Sequence, residues 1–170
     1  MIPTNASSAH LIQLASNVPP EHRHILIDAA LRESTREAVL ECRDCPLGLS
    51  PDRIPWEGPQ SDIFLLGPPG SAVQARLGRP YMHSPGTALL ESTLEQVGLK
   101  RSHIAIGYAL SCHPPTLQTA RDVQAFESCA RHVEAALSAA RSWIVVLLGD
   151  VAIQAAFPES KFSVSNMRGR

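Results

Sequence analysis

The chain has 170 residues, of which 44% are hydrophobic and 18% charged. That length and balance indicate one globular domain with a sizeable core, and they exclude a disordered or low-complexity protein. A net charge of −1 excludes global attraction to nucleic acid, so any such binding must come from a local basic face.

In chain order, Met1-Ile2-Pro3-Thr4-Asn5 has neither a basic nor an apolar leader region, so no secretory signal is expected. Residues up to about Val18 read as a short helix or a partly ordered arm, punctuated by Pro19-Pro20. From Glu21 to Leu40, Ile25, Ala29 and Ala30 recur at helical spacing, and Val39 and Leu40 close the helix. Cys42 and Cys45 follow at once as a C-x-x-C pair. Leu47 to Pro59 carries three prolines and two glycines and reads as loop. Ser61 to Gly67 is a buried strand ending at glycine. The long segment from Gly67 to Gly86 reads as loop, and long ordered loops after strands are usually functional. Ser84 and Pro85 start a helix whose apolar stripe is Leu89, Leu90, Leu94 and Val97, stopped by Gly98.

A second strand spans His103 to Leu110 and stops at Cys112-His113-Pro114-Pro115. A helix from about Ala120 to Arg141 follows, with Val123, Phe126, Ala130, Val133 and Leu137 as its buried stripe and Cys129 beside it. Trp143 to Gly149 is the third strand; its apolar part is far too short to span a membrane. Each strand is a continuous apolar run, which predicts a parallel sheet covered on both faces. Strands alternating with helices predict an open α/β sheet, with ligands at the carboxyl ends of the strands. The loops after Leu66 and Leu110 lie there, and so does Cys112.

The chain has four cysteines, Cys42, Cys45, Cys112 and Cys129. Four sulfurs suit zinc or an iron–sulfur cluster, and two disulfides are the third option. The expected setting, reducing and cytoplasmic, favours the metal or the cluster. His83, His113 and His132 lack metal-ligand spacing to one another and read as surface residues. Arg79, Lys100, Arg101, Arg168 and Arg170 read either as a phosphate-contacting set or as scattered solvated charge.

Several motifs coincide with those of one family. They are Cys42-x-x-Cys45-Pro46-Leu47, Gly67 followed by Gly78-Arg79-Pro80-Tyr81, Ser111-Cys112-His113-Pro114-Pro115, Glu127-Ser128-Cys129, Leu148-Gly149 and Arg168-Gly169. In this the chain resembles the iron–sulfur branch of the uracil-DNA glycosylases, family 4 and its relatives, over roughly Cys42 to Gly169. The resemblance implies a three-layer α/β/α sandwich with a short parallel sheet. It implies a helical extension over residues 1–40 and a glycosylase-like domain with a cluster-bearing lobe over 41–170. It implies a [4Fe–4S] cluster held by Cys42, Cys45, Cys112 and Cys129. It assigns base stacking to Tyr81, a base pocket to Gly67, Pro68 and Tyr108, and DNA contacts to Arg79, Arg168 and Arg170.

The chain departs from the family where the chemistry is done. Pro68 stands where the resemblance places a water-positioning acid, and Gln74 and Ala75 stand where it places an acidic pair. Tyr108 replaces the asparagine that reads uracil, and it lacks the amide's paired donor and acceptor. The histidine of a final His-Pro-Ser motif, which steadies the departing base, is not among these residues. The expectation is therefore an iron–sulfur protein impaired in uracil excision that keeps a DNA-binding role, or a role on a protein partner docked by its N-terminal helix. The alternative is an active base-excision enzyme of altered base specificity.

Overall fold

The computed structural model describes residues 6–116, 122–159 and 161–168. Ser7 caps helix α1 (Ser8–Ala15) by accepting from the His10 amide. Pro20, at the first helical position of α2 (Pro20–Glu41), has no amide to leave unpaired. The two helices pack through Leu11, Ala29 and Ala30. α2 is tied to the rest of the molecule at Trp56, whose indole N–H donates to Thr35 Oγ1 at 2.9 Å and whose carbonyl accepts from Arg36 at 2.6 Å.

Strand β1 (Ile63–Gly67) lies between β2 (Ala105–Tyr108) and β3 (Ile144–Leu147), and both pairings are parallel. Helix α4 (Pro85–Gln96) covers one face, where Leu94 meets Leu65, Ile104 and Ile106. Helix α5 (Val123–Ala140) covers the other, where Ala136, Ala139 and Ala140 meet Phe64, Leu66 and Trp56. Successive residues of β1 thus feed opposite cores, as the pleat requires, and the result is the expected α/β sandwich. Helix α6 (Asp150–Ala156) adds Ala152 to the second core, and the single turn α7 (Val164–Met167) follows. Among the described residues no helix is long and apolar enough to cross a membrane.

The structure corrects three local expectations. The segment from Gly67 to Gly86 contains a helix, α3 (Ala72–Leu77). It is too short to show a period, but Ser71 and Gln74 form a capping box and Gly78 ends it at φ 64°. The stretch from Leu47 to Pro59 is loop as expected after the 3-10 turn at its start, and it is anchored, since Ile54 and Trp56 are buried and Glu57 bridges to Ile106. β3 is covered incompletely. Ile144, Val145 and Val146 are 55%, 40% and 38% exposed, because this strand pairs only with β1 among the described residues. The apolar stripes are narrower than periodicity suggests, with Leu89, Val97 and Val123 exposed. α5 starts at Val123 because Asp122 caps it, accepting from the Gln124 and Ala125 amides; the expected start at Ala120 lies outside the described residues.

Candidate functional site

The cysteine lobe is assembled from three places. α2 stops at Glu41, so Cys42 leaves the helix in extended conformation. Cys45 precedes a 3-10 turn, Pro46–Leu49, in which Gly48 lies against the preceding loop. A Cβ on Gly48 would stand 2.9 Å from the Arg43 Cα, so only glycine fits there. Cys112 leaves the carboxyl side of β2, and Cys129 projects from α5 into a core shared with Leu47, Leu110 and Phe126. All four are free thiols, with Cys42 half-buried and the other three buried. Burial pushes the Cys129 thiol up to about 12, opposed by the Ser111 backbone and reinforced by Cys112, Cys45 and Cys42. Burial likewise raises Cys112, with Arg53 opposing and Cys45 and Cys42 adding to the rise. Of the four sulfurs, those of Cys45, Cys112 and Cys129 share that core, and that of Cys42 sits beside Asp44 and His132, near enough to act on two of them. As soft donors they are compatible with a metal cluster, and metal binding would displace their protons.

Arg53 locks this lobe. Only 2% exposed, its guanidinium donates to the carbonyls of Ser50, Asp52, Cys42 and Gly48. His132, expected at the surface, is 7% exposed because it lies on the inner face of α5, one turn beyond Cys129. A ring nitrogen of His132, the Cys42 sulfur and an Asp44 carboxylate oxygen lie within 4.8 Å of one another. Burial lowers the His132 pKa, and the Arg131 cation adds to the effect.

The residues expected to form a base pocket converge at the carboxyl ends of β1 and β2. Gly67 pairs with Tyr108 across the two strands. The Tyr108 hydroxyl accepts from the Tyr81 amide at 2.8 Å and donates to Gln74 Oε1 at 2.9 Å. Gln74 is itself held by the Ser71 amide, the Met82 carbonyl and Ser84 Oγ. The Tyr81 ring lies 5.1 Å from the Tyr108 ring, centroid to centroid, and crosses Gly67. A Cβ on Gly67 would stand 2.3 Å from the Tyr81 hydroxyl, and one on Gly70 would stand 2.6 Å from the Tyr108 ring. The glycines thus leave room for this chain's own tyrosines, and the two rings fill the space. Burial pushes both phenols above their usual range, so both remain neutral. Tyr81 and His83 adopt φ 51°, a left-handed conformation uncommon for such residues and costly enough to require support. Pro68 is exposed at the mouth, and the His113 ring, half-buried rather than at the surface, bonds to the Gly70 carbonyl at 2.8 Å. A hollow of about 540 Å³ lies elsewhere, beside Ser61, Asp62 and Trp143 at the amino ends of the strands. Ligands of open α/β sheets gather at the opposite end.

Of the basic residues, Arg79 and Arg101 both pair with Glu57. Burial opposes ionisation of Glu57, but the two guanidiniums outweigh it and hold the carboxyl below its usual range. Arg168 is exposed at the end of α7, and Arg170 lies outside the described residues. Sequence reasoning missed Arg53, Glu57 and the structural part played by Gln74. Only Gln74 had a local signal, the Ser71-x-x-Gln74 spacing of a capping box.

The family model described as Uracil DNA glycosylase superfamily matches residues 55–169, more than half of the chain. No curated protein matches it.

Proposed function

The chain belongs to the uracil DNA glycosylase superfamily, and from that premise we propose that it is a four-thiolate iron–sulfur member that binds DNA without excising uracil at a useful rate. The observation that carries this reading is the tyrosine-filled pocket. Reading a flipped base needs free hydrogen-bonding groups along its edge and an aromatic surface open to stack on. Here the Tyr108 hydroxyl is engaged by the Tyr81 amide and Gln74, and the Tyr81 ring is spent on Tyr108. Pro68 offers no acid or base, and neutral phenols cannot polarise water as a carboxylate does. Losing one preorganised group in such a site costs roughly a hundredfold to a thousandfold in rate.

Cys42, Cys45, Cys112 and Cys129 would hold a [4Fe–4S] cluster, which would brace the lobe and leave no open coordination position for substrate. Arg79 and Arg168 are the proposed phosphate contacts, with Arg170 beyond them. Glu57 offsets part of the positive charge on the Arg79 side, so binding is expected to be weak and strongly salt-sensitive.

The test is single-turnover release of uracil from single-stranded DNA with protein in excess, paired with a salt titration of DNA binding. No release is expected. Binding should lose about 1.4 from its log–log salt slope when Arg79 and Arg168 are both reversed to glutamate, roughly 0.7 per lost phosphate contact. Robust release that depends on Tyr81 or Tyr108 would overturn the reading in favour of the active alternative. His113 would then be the first residue to substitute, since it is bonded to the first loop. Absence of DNA binding at low salt would shift the role to a protein partner, and Ile12, Ile25, Ile27 and Leu31 on α1 and α2 are exposed in a way that suits one.

A further inference from the structure

We propose that His132 donates a ring N–H hydrogen bond to the Cys42 sulfur of the metal-loaded protein and so raises the reduction potential of the centre; this rests on the four-thiolate reading above. Three observations converge on it. His132 is 7% exposed, and its Nε2 is buried with no hydrogen-bond partner. A buried polar atom left unpaired costs about 1–3 kcal/mol, and the same face of α5 is otherwise apolar, with Phe126, Cys129, Ala136, Ala139 and Ala140. A ring nitrogen of this histidine also lies within 4.8 Å of the Cys42 sulfur, the least buried of the four.

The other groups at that sulfur do not replace His132. Asp44 Oδ2 lies 3.7 Å from it, a contact that needs the sulfur to donate a proton. A metal-bound thiolate only accepts, so loading turns that contact into repulsion, and Asp44 keeps its ion pair with Arg131. Arg131 approaches the sulfur at 3.8 Å, but its side chain is 57% exposed and water can take its place. His132 is the buried donor of the group, and water cannot easily substitute for it. A hydrogen bond to a ligating sulfur favours the more negative, reduced state and raises the potential.

The test uses the full chain purified anaerobically, with iron quantified and the centre titrated reductively. His132→Phe should keep its iron yet shift the oxidised-to-reduced ratio about tenfold at a fixed solution potential, a fall of about 59 mV for a one-electron couple. His132→Gln, which retains an N–H donor, should recover most of the loss, and Arg131→Met should shift it much less. Pulsed magnetic resonance of the reduced wild-type protein carrying ¹⁵N-histidine should show one weak nitrogen coupling, lost in His132→Phe. This readout stands even where His132→Phe fails to load. An unchanged potential in iron-replete His132→Phe, no histidine coupling, or a coupling strong enough for a direct ligand would each overturn the inference while leaving the thiolate reading intact. Stoichiometric zinc without iron in the wild-type protein would overturn both.

Discussion

Removing one oxygen atom tests the filled pocket directly. Tyr108→Phe keeps the ring, which is 5% exposed, and deletes the hydroxyl that joins Tyr81 to Gln74. The Tyr81 amide then loses its acceptor inside a packed site, and a stranded donor costs about 1–3 kcal/mol. Gln74 Oε1 loses a donor but retains the Ser71 amide at 2.9 Å, so its share falls at the low end. The sum is about 2 kcal/mol, and at this chain length each kcal/mol lowers Tm by roughly 2–4 °C, giving a fall of about 4–8 °C. The left-handed backbone at Tyr81 should also relax once the amide is freed, so its hydrogen exchange should accelerate. The assay is urea unfolding with an unchanged m-value, read beside amide exchange. A double-mutant cycle with Gln74→Leu should return a coupling energy of about 1 kcal/mol. A loss below about 0.5 kcal/mol with Tyr81 exchange unaltered would refute the reasoning, because the hydroxyl would then hold nothing in place.

Three further outcomes follow from the same contacts. Arg53→Met removes the donor shared by the carbonyls of Cys42, Gly48 and Ser50 and should cost at least about 3 kcal/mol by urea midpoint, since hydrogen bonds from a charged donor are worth about 1.5–3 each. Glu57→Gln should cost about 1–2 kcal/mol at neutral pH. The folded-state pKa of Glu57 is depressed, so its contribution is present above the unfolded value and lost as pH falls through the folded one; stability curves of wild type and variant should converge below about pH 4. Cys112→Ala should leave the protein without bound iron and partly unfolded, checked by metal analysis and circular dichroism.

The layers were legible because their signals are long. α2, α4 and α5 each run for three turns or more, and β1 and β2 are unbroken apolar runs fully enclosed by helices. What was hidden is local or non-local in a way periodicity cannot carry. α3 is six residues long, less than two turns, and only its caps give it away. His132 reads as a surface histidine because its burial depends on where α2 delivers Cys42, ninety positions upstream in the same chain. β3 reads as buried because hydrophobicity reports the composition of a strand and not whether anything lies over it. Glu57 sits in a proline-rich stretch with no pattern at all, yet it gathers Arg79 and Arg101 from two other loops.

The two halves of the site are joined through adjacent residues, and that junction gives the cysteine lobe a bearing on the pocket. Arg53 reaches back into the carbonyls of the cysteine loop. Its neighbour Ile54 donates its amide to the Ser111 carbonyl at 2.7 Å, one residue before Cys112, and packs its side chain under Tyr108 and Ala75. A Cβ on Gly70 would stand 2.4 Å from the Ile54 side chain, so the pocket wall has no slack on that side. Close-packed interiors pass a displacement on instead of absorbing it. The position of Tyr108, and with it the seat of Tyr81, is therefore set partly by the loop that carries Cys42 and Cys45. A metal centre held by these cysteines would not need to touch a substrate to matter, because the loop it would brace is the floor on which the tyrosine pair rests.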